Sequence, residues 1–379
     1  MFLGMSRILC LAQLIAVWVT PWAAGDCQAP RHKPQSTALR GWGVDSTPLI
    51  DISGDLPSGG PKLGDPIAAT RLSNGTIVVA DRSLPAIVHF SAKGTLTKTV
   101  GRKGKGPGEF DDLTWMAQCR ADSVFVFDGS SRRMSVIDVE GHIVRQEEFP
   151  VPAYQDRMAC SRSGRFAVIS NIRGGDRVDV KTWTFSQVRG SVSISDASGL
   201  FSEVLTDVPV RVPRPLGQTT TLALSSTYLY IGTNDSAVVE RLTLTGAPAG
   251  RLAVAVSRQA PTARQYDMAI DAHLAFVFPS MAERREHKSR FTRIPPPEFR
   301  PLYGAVIADH AGSAWVVVSA LDEPKTRLQL LSEGGASPGT VIALPRNLRV
   351  FEIGRDHVLG RYEDEEGEVH IAMYRLNRP

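Results

Sequence analysis

Short apolar runs recur along the chain between clusters of Gly, Asp, Asn and Ser. Ile77–Ala80 and Ile87–Phe90 are two of them, split by a polar break and followed by a Lys-Gly turn. Displacing residues 76–94 by 47 positions lays TIVVADRSLPAIVHFSAKG over SVFVFDGSSRRMSVIDVEG. Val79 then meets Val126, Asp81 meets Asp128, Ser83 meets Ser130 and Gly94 meets Gly141. Four β-rich runs in a period of about 40–50 residues mark a propeller blade.

Weaker copies occupy residues 158–207, 221–254, 304–344 and 349–376. The last holds three strands, and the isolated strand-like segment Pro48–Ser53 supplies a fourth, which leaves no free edge at the seam. The pattern therefore predicts an all-β, six-bladed β-propeller over residues 46–379, closed by an N-terminal strand. One stretch switches period. Across residues 257–300, Tyr266, Ile270, His273, Leu274 and Val277 recur at helical steps, MAERREHKSRF follows, and Pro295 to Pro297 end the segment. This helical insertion falls between blades 4 and 5, and it is expected to lie over the mouth of the central channel.

Residues 1–25 read as a cleaved signal peptide: Arg7, an apolar run from Ile8 to Val19, and small residues Ala23 and Gly25 before a cut. The run is too short to span a bilayer comfortably, and no membrane span is expected later in the chain. The expected location is secreted or periplasmic, with cleavage after Gly25. Lipid attachment at Cys27 ranks second, because Asp26 stands where a small residue is usual. A disordered leader follows over 26–45. Cys27, Cys119 and Cys160 remain after cleavage. Cys119 and Cys160 hold similar places in consecutive repeats, where they form either a bridge or two buried apolar positions.

Composition removes some function classes. The 43 basic and 39 acidic residues leave a net charge of +4, too mild for a nucleic-acid footprint, so no nucleic-acid partner is expected. The eight histidines are scattered, and CxxC, HExxH and GxSxG are absent.

GRKGKGPGEF (101–110), the ending DHVLGRYEDEEGEVHIAMYRL, and the helical insertion before a blade carrying Trp315 to Val317 resemble bacterial secreted six-bladed propellers related to the NHL-repeat proteins. The likeness spans residues 45–376. It implies the ring fold and little about activity, since those members resemble one another without a shared assigned function.

In such a ring the loops between second and third strands share one face with the blade-to-blade links. That face gathers the candidate ligand-binding residues: Asp81, Arg82, Arg102, Lys103, Lys105, Asp128, Tyr266, His273 and Asp364. Asp81 and Asp128 equally suit turn capping, and the 101–110 glycines suit a tight crossover. His310, beside Asp309, reads as turn chemistry. The favoured function is a binding scaffold for a protein, peptide or glycan on this loop face, with no catalytic residue, cofactor or metal assigned. The alternative is a metal-dependent hydrolase or lyase with one divalent cation in the central channel, since related rings include such enzymes.

Overall fold

The repeat folds as six four-stranded antiparallel sheets. A computed structural model describes residues 41–54, 62–150, 157–173, 178–179, 184–212, 214–278, 280–318, 323–333 and 340–379. The signal segment, its cleavage point and Cys27 lie outside the described residues. Blade 1 comprises Pro66–Arg71, Ile77–Asp81, Ala86–Phe90 and Leu96–Val100. Blade 2 comprises Leu113–Arg120, Ser123–Asp128, Arg133–Ile137 and Ile143–Glu148. Blade 3 comprises Met158–Cys160, Phe166–Arg173, Val188–Ser195 and Phe201–Arg211. Blade 4 comprises Thr220–Leu224, Tyr228–Thr233, Val238–Thr243 and Pro248–Ala253. Blade 5 comprises Ala305–Ala308, Ala314–Val318, Arg327–Leu330 and Val341–Ala343. Blade 6 comprises Arg349–Ile353, His357–Glu363 and Val369–Asn377, with Gly43–Ser53 as its outer strand.

Inner strands of successive blades lie against each other, and that of blade 6 also contacts that of blade 1, which completes a circle. The core lies between blades. Val78, Ala80 and Ile87 of blade 1, for example, share a buried cluster with Leu113, Met116 and Val126 of blade 2. Cys119 and Cys160 form a disulfide with a Cα–Cα distance of 5.4 Å, joining the inner strands of blades 2 and 3.

The outer strand of blade 6 starts at Gly43 and pairs it with Asn377, so residues 43–45, expected in the leader, belong to the sheet. The polar stretch Asp45-Ser46-Thr47 hides this strand from pattern reading. An edge strand buries only part of its surface and needs no apolar alternation there. Pro48, which has no N–H to donate, is tolerated because it sits on an edge, beside two register shifts in the ladder.

Between blades 4 and 5 lie α1 (Ala263–Val277) and α2 (Met281–Phe291). Each begins with a capping box, Thr262 with Gln265 and Ser280 with Glu283. Tyr266, Ile270 and Leu274 of α1 pack with Leu216, Phe278 and Phe291. Arg214 of the blade 3–4 link donates to the Pro295 carbonyl, and Leu302 N–H donates to Asn234 O at 2.6 Å. The insertion thus docks beside blade 4 and its incoming link. Among the described residues none from 257–300 lines the channel, so the expected lid is corrected. The apolar stripe of α1 is used up against Leu216 and against its own insertion.

Candidate functional site

Inner strands run from the blade-to-blade links to the first hairpin turn of each blade. The ring therefore has a link face and a turn face. All nine residues expected to bind belong to the link side or the insertion, and the structure does not gather them into one site.

Asp81 and Asp128 are buried and do the same structural job in blades 1 and 2. Asp81 accepts from Gly64 N (2.9 Å), Asp65 N (3.2 Å) and Ser83 N (2.8 Å); Asp128 accepts from Asp111 N (2.6 Å), Asp112 N (3.2 Å) and Ser131 N (2.8 Å). Each carboxylate ties the link entering its blade to the turn leaving the second strand. Arg82 pairs with Asp65, which also meets Arg361 of blade 6.

In the 101–110 crossover Arg102 pairs with Glu109 at 2.9 Å, while Lys103 and Lys105 meet Asp111 at 2.8 and 3.6 Å. Hydrogen bonds from Lys103 and Ser130 pull the Asp111 carboxyl down to about 2. Gly101 has φ +85°, and a Cβ there would come within 2.4 Å of buried Phe110. The glycine is thus needed for the tight passage.

Tyr266 is buried within the insertion, its hydroxyl donating to Ile294 O at 2.9 Å, and burial pushes its phenol pKa up. The His273 ring lies 5.1 Å from that of Phe291. Asp364 Oδ1 accepts from Glu366 N (3.1 Å) and Glu368 N (2.7 Å), shaping the hairpin between the last two strands.

A different set of side chains converges at the turn face. The ring encloses a cavity of about 1200 Å³ lined by the inner strands of all six blades. Small residues (Ala68, Ala117, Ala159, Ala305) line its wall, whereas Thr70, Gln118, Arg162, His310, Glu352 and Arg355 cluster at the turn end. Glu352 is the hub. Its Oε1 accepts from Arg71 N (3.3 Å) and faces His357 Nε2 at 2.8 Å; its Oε2 accepts from Thr70 and faces His310 Nε2 at 3.6 Å. His357 Nδ1 in turn faces Asp356 at 2.8 Å. Burial pushes the Glu352 carboxyl up, but hydrogen bonds from His310 and His357 outweigh it and hold the group below the usual range. Burial lowers the His357 pKa, yet Glu352 and Asp356 together raise it above its ordinary value. Both shifts favour the charged pair, an imidazolium beside a carboxylate.

Arg162 completes the cluster from blade 3. Its Nη2 donates to Gln118 Oε1 at 2.6 Å and lies 2.8 Å from His310 Nε2 and 3.2 Å from Nδ1.

His310 is held by its neighbour. Asp309 accepts from Ala311 N, Ser313 N, the Trp315 indole and Arg378, and His310 N–H donates to Ile353 O across to blade 6. The Asp309 part of the turn reading holds, since that carboxylate caps the turn. Its neighbour His310 faces the channel, a position the sequence reading missed. The signal available was positional: Arg71 and Arg120 end the inner strands of blades 1 and 2, Ser161, Ser225 and Asp309 directly follow those of blades 3, 4 and 5, and these positions share one rim.

No family model matches the chain, and no curated protein matches it. Solved structures similar to it include a protein of Bacteroides fragilis described as exported, at 9% identity and a TM-score of 0.47, covering 85% of this chain and 93% of that one. Another is a calcium-binding protein, regucalcin, of Agrobacterium tumefaciens, at 12% identity and a TM-score of 0.42, covering 88% and 94%. A third is a catalytically inactive virginiamycin B lyase of Staphylococcus aureus with quinupristin, at 12% identity and a TM-score of 0.41, covering 86% and 83%.

Proposed function

We propose that this chain is a ligand-binding propeller. Its ligand enters the central channel from the turn face and seats a carboxylate on Arg162, with His310 alongside and the small-residue wall receiving the body of the molecule. The carrying observation is that Arg162, exposed at the mouth of the cavity, has hydrogen-bond partners among the described residues in Gln118 and His310 and no carboxylate in ion-pair contact. A cation with no carboxylate in ion-pair contact among the described residues, beside a roomy channel walled in part by small residues, is a recognition feature for an anionic group. Short peptides with a free C-terminus and acidic sugars are the ligand classes that fit.

The protein acts outside the cytoplasm. The signal-like start and the Cys119–Cys160 bridge both suit that setting. The link face, where Asp81 and Asp128 hold the backbone and Arg82, Arg102, Lys103 and Lys105 pair with Asp65, Glu109 and Asp111, serves as framework in this reading.

Titration calorimetry against carboxylate ligands and their amide analogues tests it. Binding should weaken by about tenfold or more in Arg162→Gln and for the amides, as expected for loss of a charge-assisted hydrogen bond. Equal affinity across both comparisons overturns the reading.

A catalytic reading is favoured by one observation: His310 lies 3.6 Å from the buried Glu352 carboxylate, an arrangement suited to a general base for a hydrolase or lyase. It requires turnover of a bound ligand that His310→Gln abolishes while binding persists.

A further inference from the structure

We infer that Asp364, Glu368 and His370, in the hairpin between the second and third strands of blade 6, form a binding site for a divalent transition-metal cation of the Zn²⁺ class. The inference does not rest on the proposed ligand site, because none of the three lines the channel.

Hairpin geometry brings the residues together. Tyr362 pairs with His370 and Glu363 with Val369, so Asp364 lies opposite Glu368, whose carbonyl accepts from Asp364 N–H at 3.0 Å. Glu368, immediately before the strand Val369–Asn377, stands two residues from His370 within it, which puts the two on one side of the chain. One ligand atom from each of the three lies within 4.8 Å of the others. A tetrahedral shell with bonds of about 2.1 Å sets ligand atoms roughly 3.4 Å apart. All three side chains are half-buried, so small rotations close that gap.

The imidazole is already oriented. His370 Nδ1 lies 3.0 Å from Asp51 Oδ1, and Nε2 lies 3.2 Å from Asp364 Oδ2. The Tyr362 ring stacks on His370 at 4.7 Å, and its hydroxyl donates to Asp51 Oδ2 at 2.8 Å. A carboxylate behind one ring nitrogen, with the other aimed at the ligand set, is the outer-shell arrangement that fixes metal-binding histidines. With Nδ1–H donated to Asp51, the Nε2 lone pair is what the ring offers to the cation. The imidazole nitrogen selects Zn²⁺ over Ca²⁺ and Mg²⁺, which prefer all-oxygen shells. Asp51 and Ser53, the latter donating to Glu368, belong to the closing strand. Metal binding would therefore reinforce the contact between that strand and blade 6.

The test uses the full chain stripped with a chelator and titrated with Zn²⁺ by calorimetry and by thermal melting. The expected result is saturable one-to-one binding that raises the Tm. Glu368→Gln and His370→Gln should each remove both responses, and Asp51→Asn should weaken affinity by about 10–100-fold. If His370→Gln fails to fold, Glu368→Gln carries the comparison. No saturable binding, a one-to-one response unchanged in the folded variants, or Ca²⁺ binding as tight as Zn²⁺ overturns the inference.

Discussion

Glu352 Oε1 and His357 Nε2 lie 2.8 Å apart at the turn end of the channel, and both side chains are buried. Gly354 makes the contact possible, since a Cβ there would fall 2.1 Å from His357 Cε1. The charges are compensated on every side, with Thr70, Arg71 N–H, His310 and Asp356 filling the remaining positions. The pair is consequently both a stabilising element and the support that sets His310 in place.

Removing one partner of a buried charged pair strands the other, so Glu352→Gln should destabilise the fold by about 3 kcal/mol. The effect should depend on pH. The His357 pKa is raised from 6.5, so its contribution is complete below about 6.5 and lost as pH rises through the higher folded value. The Glu352 pKa is depressed from 4.5, so its contribution is complete above about 4.5 and lost as pH falls through the lower folded value. The stability difference between wild type and variant, measured by urea melts, should peak between these limits. A difference that stays flat from pH 4 to 9 contradicts the ion pair.

The Cys119–Cys160 bridge closes a loop of 41 residues between two inner strands. Constraining such a loop in the unfolded chain is worth about 2–4 kcal/mol. Reduction, or the double replacement Cys119→Ala with Cys160→Ala, should lower the urea midpoint accordingly. Wild type with and without dithiothreitol gives the comparison, and the double variant should show no response to the reductant.

The blades were legible because each is a local unit: its strands pair with sequence neighbours, and the 47-residue offset aligned Asp81 with Asp128 before either was seen capping a link. The turn-face cluster was not legible, because Thr70, Gln118, Arg162, His310 and Glu352 come from five different blades. Only ring closure makes them neighbours. Asp309 and His310 show the difficulty within two residues, one serving its own turn and the other a channel built by the whole chain. The place of the insertion was equally hidden, since an apolar helix stripe reports that something covers it and not what does so.

Burial along the closing strand concentrates at Ile50 and Ile52, which join a cluster with Val79, Val88, Ile371 and Met373 spanning blades 1 and 6. Ile52→Ala should cost about 2–5 kcal/mol, depending on how well the cavity collapses. Deleting residues 43–53 removes that packing together with a full ladder against Val369–Asn377, and exposes an edge prone to pairing with other chains. Calorimetry and light scattering should record a lower Tm and concentration-dependent association. A truncated chain that melts like the intact one and stays monomeric would show that the outer strand contributes nothing to the seam.

His89 offers the opposite pH behaviour to His357. It is buried on the third strand of blade 1, and its Nε2 has no hydrogen-bond partner among the described residues. Burial, with help from Lys98 and against the opposing pull of Asp138, lowers its pKa to about 4. A histidine held neutral in the fold but free to protonate when unfolded favours the unfolded chain as pH drops. Its cost is absent above about 6.5 and grows as pH falls toward 4. His89→Leu keeps a similar volume and removes the orphaned nitrogen, which by itself costs about 1–3 kcal/mol. The variant should therefore be at least as stable as wild type at pH 8, and its advantage should widen steadily down to pH 5. Parallel urea melts at four or five pH values would resolve this, and an advantage that narrows on acidification would mean that His89 is protonated within the fold.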